Sequence, residues 1–245
     1  MDRVEKPSLS PCGRGTGRWK AIVLKQERRY MNEVHRLYRF ASVGLIASFL
    51  ACLGVGVGGC TQALPAVNEG DLIFQTSRSA QSQGIQQATG SRYSHMGIIL
   101  FQNGKPYVFE AVATVKYTPL AQWIARGDGG HYVAKRLKDA QQTLTPEALK
   151  KLHHAADAFV NKPYDLTFEW SDDRIYCSEL VWKMVDRALG IQIGKLQKIR
   201  EFHLDAPAVK QKLRERYGDK VPLDETVISP QAMFESPLLI TVAER

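Results

Sequence analysis

Past residue 70 the hydrophobic pattern alternates between runs of strand period and stretches of helical period, punctuated by glycine, proline and asparagine. Gly70 opens the strand Asp71-Leu72-Ile73-Phe74, and the polar, Gln-rich stretch from Ser79 to Gly90 reads as a short helix running into a loop. The sharpest signal is SHMGIILF, then Gln102-Asn103-Gly104-Lys105, then PYVFEAVA. Two apolar runs around Asn-Gly predict a two-residue hairpin, because both turn residues accept positive φ. With Gln102 opposite Lys105, Gly97 falls opposite Glu110. Side chains alternate along a strand, so His95, Gly97, Glu110 and Val112 share one face. Met96, Ile98, Leu100, Phe109 and Ala111 form the opposite, apolar face and are expected to pack on the core.

Further elements follow from the same pattern. Pro119 to Arg126 reads as a short helix, residues 127–130 as a turn and His131 to Leu137 as a strand. Thr145-Pro146-Glu147 is a helix start, with a capping hydroxyl and proline at the first helical position. That helix is expected to reach Asn161 and to bury Leu149, Leu152, Ala156, Phe159 and Val160. A second amphipathic helix starts at Cys177, turns Leu180, Val181, Met184, Val185, Ala188 and Leu189 inward, and stops at Gly190. A basic helix over Ala206 to Tyr217, a short helix capped by Ser229-Pro230 and a strand from Leu238 to Val242 complete the chain.

Charge changes the picture once it is divided. The net +8 is concentrated in residues 1–60, where 10 Lys/Arg face 4 Asp/Glu; residues 61–245 hold 23 against 21. A nearly neutral folded part argues against a surface that tracks phosphates, so no nucleic-acid partner is expected. The N-terminal charge flanks Ala41–Gly59, 19 residues without a charge, which ends in Val57-Gly58-Gly59-Cys60. This resembles a bacterial lipobox, and read from Met31 the segment has the length of a signal peptide. Two readings stand: a lipoprotein signal with Cys60 acylated, or an uncleaved anchor or ordinary signal peptide. Cys52 fits the lipid pattern less well. Both readings put the C-terminal part outside the cytoplasm, and the expected location is the bacterial cell envelope, membrane-anchored as a lipoprotein. The expected organisation is therefore 1–60 as basic extension plus signal or anchor, 61–69 as tether, and 70–245 as a single domain.

Beyond residue 60 the chain has one cysteine, Cys177. Outside the cytoplasm an unpaired thiol calls for an explanation. A cysteine opening a helix has its thiolate favoured by the helix dipole and free N–H groups, and a histidine partner can hold its proton. His95 and Glu110, diagonal neighbours about 7–8 Å apart across the hairpin, suit a base and its orienting group over the space that Gly97 leaves. The bland readings are a buried Cys, a core His and a salt-bridged Glu. His153-His154 reads as a solvated helix face, and neither a metal site nor a cofactor is expected.

The order His95, Glu110, Cys177 resembles the circularly permuted papain-like amidases, the YiiX/YaeF-like branch of the NlpC-type cysteine peptidase superfamily. The matching pieces are residues 70–74, Ser94-His95-Met96-Gly97-Ile98, Phe109-Glu110-Ala111, Pro163-Tyr164-Asp165, Tyr176-Cys177-Ser178-Glu179-Leu180 and the tail from Ser229-Pro230 to Ser236-Pro237. The resemblance implies an α+β fold, with an antiparallel sheet packed against the nucleophile helix. It also implies Cys177 as nucleophile, His95 as base and Glu110 as third member. Tyr93, Tyr164 and Asp165 are candidate substrate contacts, with Tyr93 or Gln75 as a second oxyanion donor beside the Cys177 N–H. The leading expectation is a cell-envelope amidase or peptidase that forms a thioacyl intermediate on peptides or amino-acyl amides. A lipid-directed acyltransferase or thioesterase, and a non-catalytic binding lipoprotein, are the alternatives.

Overall fold

In this structure, a computed structural model, residues 64–245 are described; Ala41–Gly59, Cys52 and Cys60 lie outside the described residues. Apolar β1 (Leu72–Gln75) is buried throughout, and α1 (Ser82–Thr89) follows it, ended by Gly90 in the left-handed region. Asn103 and Gly104, at φ of +51° and +73°, then turn β2 (His95–Gln102) back into β3 (Lys105–Ala111). Gln102 pairs with Lys105 and Ile98 with Phe109, the register read from the Asn-Gly turn.

The strand β4 (Val115–Pro119) was not foreseen. Its five residues mix burial and exposure too irregularly to carry an alternating signal. α2 (Leu120–Arg126) and β5 (Val133–Leu137) match the expected helix and strand, and a four-residue α3 (Ala140–Thr143) precedes α4 (Pro146–Asp157). The Thr145 hydroxyl accepts from the Ala148 N–H at 3.2 Å, as its capping role requires. α4 ends before Asn161, which itself adopts a φ of +66°. As a result Val160 is 37% exposed and not inward, whereas Leu152, Ala156 and Phe159 are buried.

α5 (Cys177–Leu189) ends at Gly190 with φ of +68°, and every residue from Cys177 to Val185 is buried, so the helix is enclosed on more than its apolar stripe. β6 (Gln197–Lys198), α6 (Pro207–Tyr217), β7 (Thr226–Val227), α7 (Pro230–Phe234) and β8 (Leu239–Glu244) follow. Of α6 only Val209 is buried.

Six strands form one antiparallel sheet in the order β4-β3-β2-β1-β5-β8, and β6 pairs with β7 apart from it. Both faces of the sheet are covered. Leu72, Phe74, Met96, Ile98, Leu100 and Phe109 pack into a core with Leu152 of α4 and Leu180, Val181 and Met184 of α5. Ile73, Ile99 and Val108 form a second core with Leu120, Trp123 and Ile124 of α2. Each large side chain buried this way contributes about 1.5–3 kcal/mol before the cost of ordering it. Val67, in the stretch expected as a tether, belongs to this second core, and Glu69 accepts from the Phe101 N–H and pairs with His153 at 2.7 Å.

Candidate active site

His95 is the first residue of β2 and pairs across to Gln75 at the end of β1, so its ring stands where the strand enters the sheet. Two residues on, a Cβ at Gly97 would come within 2.4 Å of Val108 Cγ1 and 2.7 Å of the Phe109 carbonyl. No side chain fits between the strands there. The gap lets the His95 ring meet the Glu110 carboxylate, with Nε2 2.6 Å from Oε2. Trp123 stacks beside the ring at 6.0 Å between centroids and fixes its plane from the α2 side.

Glu110 is fully buried, and both its oxygens are hydrogen-bonded. Oε1 accepts from Thr118 Oγ1 at 2.6 Å; Oε2 accepts from Trp123 Nε1 at 3.0 Å and Arg126 at 2.5 Å and faces His95. Burial alone would raise the carboxyl's pKa, but the His95 bond and charge, seconded by Arg126, hold it down to about 2. Burial would likewise lower the pKa of His95. Hydrogen bonds to Cys177 and Glu110 outweigh it and lift the imidazole to about 9. With Nε2 committed to Glu110, Nδ1 is the nitrogen left for the sulfur.

Cys177 sits at the first position of α5, after Tyr176 in extended conformation, and is buried. Backbone N–H groups in a helix's first turn have no partner within the helix, so donors gather around this sulfur. Its neighbours are anchored to one residue beyond β7: the Tyr176 hydroxyl accepts from the Ile228 N–H at 3.0 Å, and Ser178 Oγ donates to the Ile228 carbonyl at 2.8 Å. The nucleophile candidate is therefore held on both sides by one strand end.

Cys177 also lines a cavity of about 120 Å³. Its walls come from α1, α6, the Phe168 loop and the β7–α7 segment, and neither α1 nor α6 had shown any chemistry in sequence. Tyr164 is on this wall, where its hydroxyl accepts from Gln81 at 3.1 Å. Asp165 is not: it is buried and accepts from the Thr167 N–H and hydroxyl and the Glu169 N–H, which folds the loop before the nucleophile. Tyr93 is not on it either, since its ring stacks on Phe234 and His131. Gln75 is buried against Gly127, with Oε1 lacking a hydrogen bond among the described residues. Three residues that sequence reasoning missed are Thr118, Trp123 and Arg126. The spacing of Trp123 and Arg126 puts them on one face of a helical turn, but nothing local directs that face at Glu110.

The comparisons with known proteins agree with this architecture. A family model described as "Permuted papain-like amidase enzyme, YaeF/YiiX, C92 family" matches residues 66–243. The uncharacterized protein YiiX of Escherichia coli (strain K12) is 55% identical over 175 residues, which cover 71% of this chain and 85% of that protein. The crystal structure of YiiX from Escherichia coli O157:H7, described as a metalloprotein, superposes with a TM-score of 0.69 at 55% identity, over 72% of this chain and 97% of that one.

Proposed function

The chain belongs to the permuted papain-like amidase family, and from that premise and the Cys177–His95–Glu110 geometry we propose that it is a cysteine hydrolase cleaving amide or ester bonds. The carrying observation is the single imidazole held between a buried, hydrogen-bonded carboxylate and a thiol at a helix start. Cys177 gives its proton to His95 and attacks the substrate carbonyl, and the Cys177 N–H donates to the developing oxyanion. His95 protonates the leaving amine or alcohol, leaving a thioester on the sulfur. Water, deprotonated by His95, then releases the acid and restores the thiol. Glu110 keeps the ring oriented and stabilises its cationic form.

Amide-linked acyl compounds of the cell envelope, peptidoglycan peptides among them, are the proposed substrates. The apolar segment Ala41–Gly59 and the lipobox-like end at Cys60 support a membrane-anchored position; among the described residues no helix is long and apolar enough to cross a membrane. The metal suggested by the description of the related crystal structure does not fit here. Among the described residues no three His, Cys, Asp or Glu side chains are arranged to hold a metal ion, and both Glu110 oxygens are engaged by protein donors. No step is assigned to a metal.

Iodoacetamide labelling tests the reading. Cys177 is expected to alkylate near neutral pH faster than a model thiol, and His95→Ala to slow it by about tenfold or more. Equal labelling of the two proteins would refute the activated pair.

A further inference from the structure

We propose that three arginines on the His95 side of the site, Arg78, Arg92 and Arg126, form a leaving-group subsite for an amine or alcohol that carries a carboxylate or phosphate. The proposal rests on the cysteine-hydrolase reading and names the departing half of its substrate.

The departing half must lie beside His95. When the acyl C–N or C–O bond breaks, its electron pair goes to the nitrogen or oxygen, and that atom takes its proton from the imidazole. Whatever hangs on that atom is therefore within reach of the segments that flank the ring. These are the residues leaving β1, the residues entering β2 and the end of α2.

Thr76 knits the three segments together. Its hydroxyl donates to the Arg92 carbonyl at 2.8 Å, and its carbonyl accepts from the Asp128 N–H at 3.0 Å. Next to it, the Ser77 N–H donates to Ser94 Oγ at 2.9 Å, and Gln75 is the cross-strand partner of His95. Each segment brings one arginine to this rim. Arg126 reaches furthest in: it donates to the same Glu110 Oε2 that faces His95 Nε2, so the guanidinium and the imidazole stand within two hydrogen-bond lengths of each other.

Charge on the rim is one-sided. Asp128 is the one acidic residue among residues 75–78, 91–95 and 120–128. It lies 3.9 Å from Arg78, with both side chains mostly exposed. Arg92 is exposed and has no carboxylate partner among the described residues. Arg126 spends one nitrogen on Glu110, and its side chain is 38% exposed, which leaves donors of the guanidinium to face a ligand. A guanidinium offers a planar fork of N–H donors that matches a carboxylate or a phosphate. A cationic leaving group would be repelled here and a neutral one would leave the excess charge unanswered, whereas an anionic one is drawn to the atom that must protonate it.

The test needs no knowledge of the acyl group. Iodoacetate and iodoacetamide are nearly the same size and differ in charge, and each forms the Cys177 S–C bond as iodide departs. In the full chain the ratio of the iodoacetate to the iodoacetamide rate is expected to exceed that of a model thiol, most at about 0.01 M salt and least at about 1 M, where charges are screened beyond about 3 Å. Arg78→Glu with Arg92→Glu should lower the ratio by about fivefold or more at low salt while the iodoacetamide rate stays within about twofold of wild type. Arg126 is left in place because it also holds Glu110. In a second measurement, 4-aminobenzoate, 4-aminophenyl phosphate and neutral 4-aminobenzamide are compared as protectants of Cys177 against iodoacetamide. At least one anion should half-protect at a concentration about fivefold or more below the amide, and the better of the two anions names the group. A ratio unchanged in the double variant, or anions that protect no better than the amide, would overturn the subsite and leave the hydrolase standing. Iodoacetamide labelling no faster than that of a model thiol, with no acyl adduct from p-nitrophenyl acetate, would instead overturn the hydrolase and with it the leaving-group role, while the charge ratio separately reads the rim.

Discussion

Glu110 sets the charge of His95 without being able to reach solvent. Replacing it by Gln keeps the volume and removes a charge that, with the Cys177 hydrogen bond, lifts the imidazole. The His95 cation is present below its pKa of about 9, so an alkaline limb in kcat/KM is expected near that pH in the wild type. In Glu110→Gln the limb should move down, toward the ordinary histidine value of 6.5, and kcat/KM at neutral pH should fall by about 10–100-fold. A pH-rate profile of the two proteins checks this. An unmoved limb would mean that Glu110 does not govern the ring. Arg126 shares the Glu110 carboxylate from a partly exposed side chain, so Arg126→Ala, which removes a competing cation, should move the limb slightly up and not down.

At the level of elements, the β2–β3 hairpin works because Gly97 lets two strands and two side chains occupy the space of one more Cβ. Gly97→Ala would force Val108 and the Phe109 carbonyl aside, at a cost of about 1–3 kcal/mol in stability. It would also widen the His95–Glu110 contact, so activity should fall further than the denaturation midpoint implies. Measuring both separates the two effects. This hairpin was legible because its information is local: Asn-Gly sets the turn, the turn sets the register, and the register puts His95 near Glu110. The start and stop of α5, at Cys177 and Gly190, were legible for the same reason. Thr118, Trp123 and Arg126 were not, because they reach Glu110 only after β4 pairs with β3 and α2 folds over the sheet. Nor were the cavity walls, since α1 and α6 are far apart in sequence and each is largely polar on its own. The stacking of Tyr93 on Phe234 was hidden in the same way, since adjacency to His95 in sequence says nothing of a ring from α7.

For the molecule as a whole, two buried carboxylates give opposite dependences of stability on pH. Glu110 has a folded pKa of about 2 against an ordinary value of 4.5, so its contribution is complete above 4.5 and is lost as pH falls through about 2. Glu179, fully buried in the first turn of α5, behaves inversely. Burial raises its carboxyl, Lys183 Nζ at 2.8 Å pulls the other way, and the result is about 7. A carboxyl that holds its proton more tightly when folded favours folding at low pH. That advantage is complete below 4.5 and is lost as pH rises through about 7, a change on the order of 3 kcal/mol. Urea unfolding at about pH 5 and about pH 8 should therefore show the wild type less stable at the higher pH. Glu179→Gln, which has no proton to lose, should reduce that difference to the part set by His95, whose contribution is complete below 6.5 and lost as pH rises through about 9, while Lys183 keeps Asp172 at 3.0 Å and the Ser171 carbonyl at 2.8 Å as partners. If the variant retained the full wild-type slope, the pH dependence would have to originate in another group.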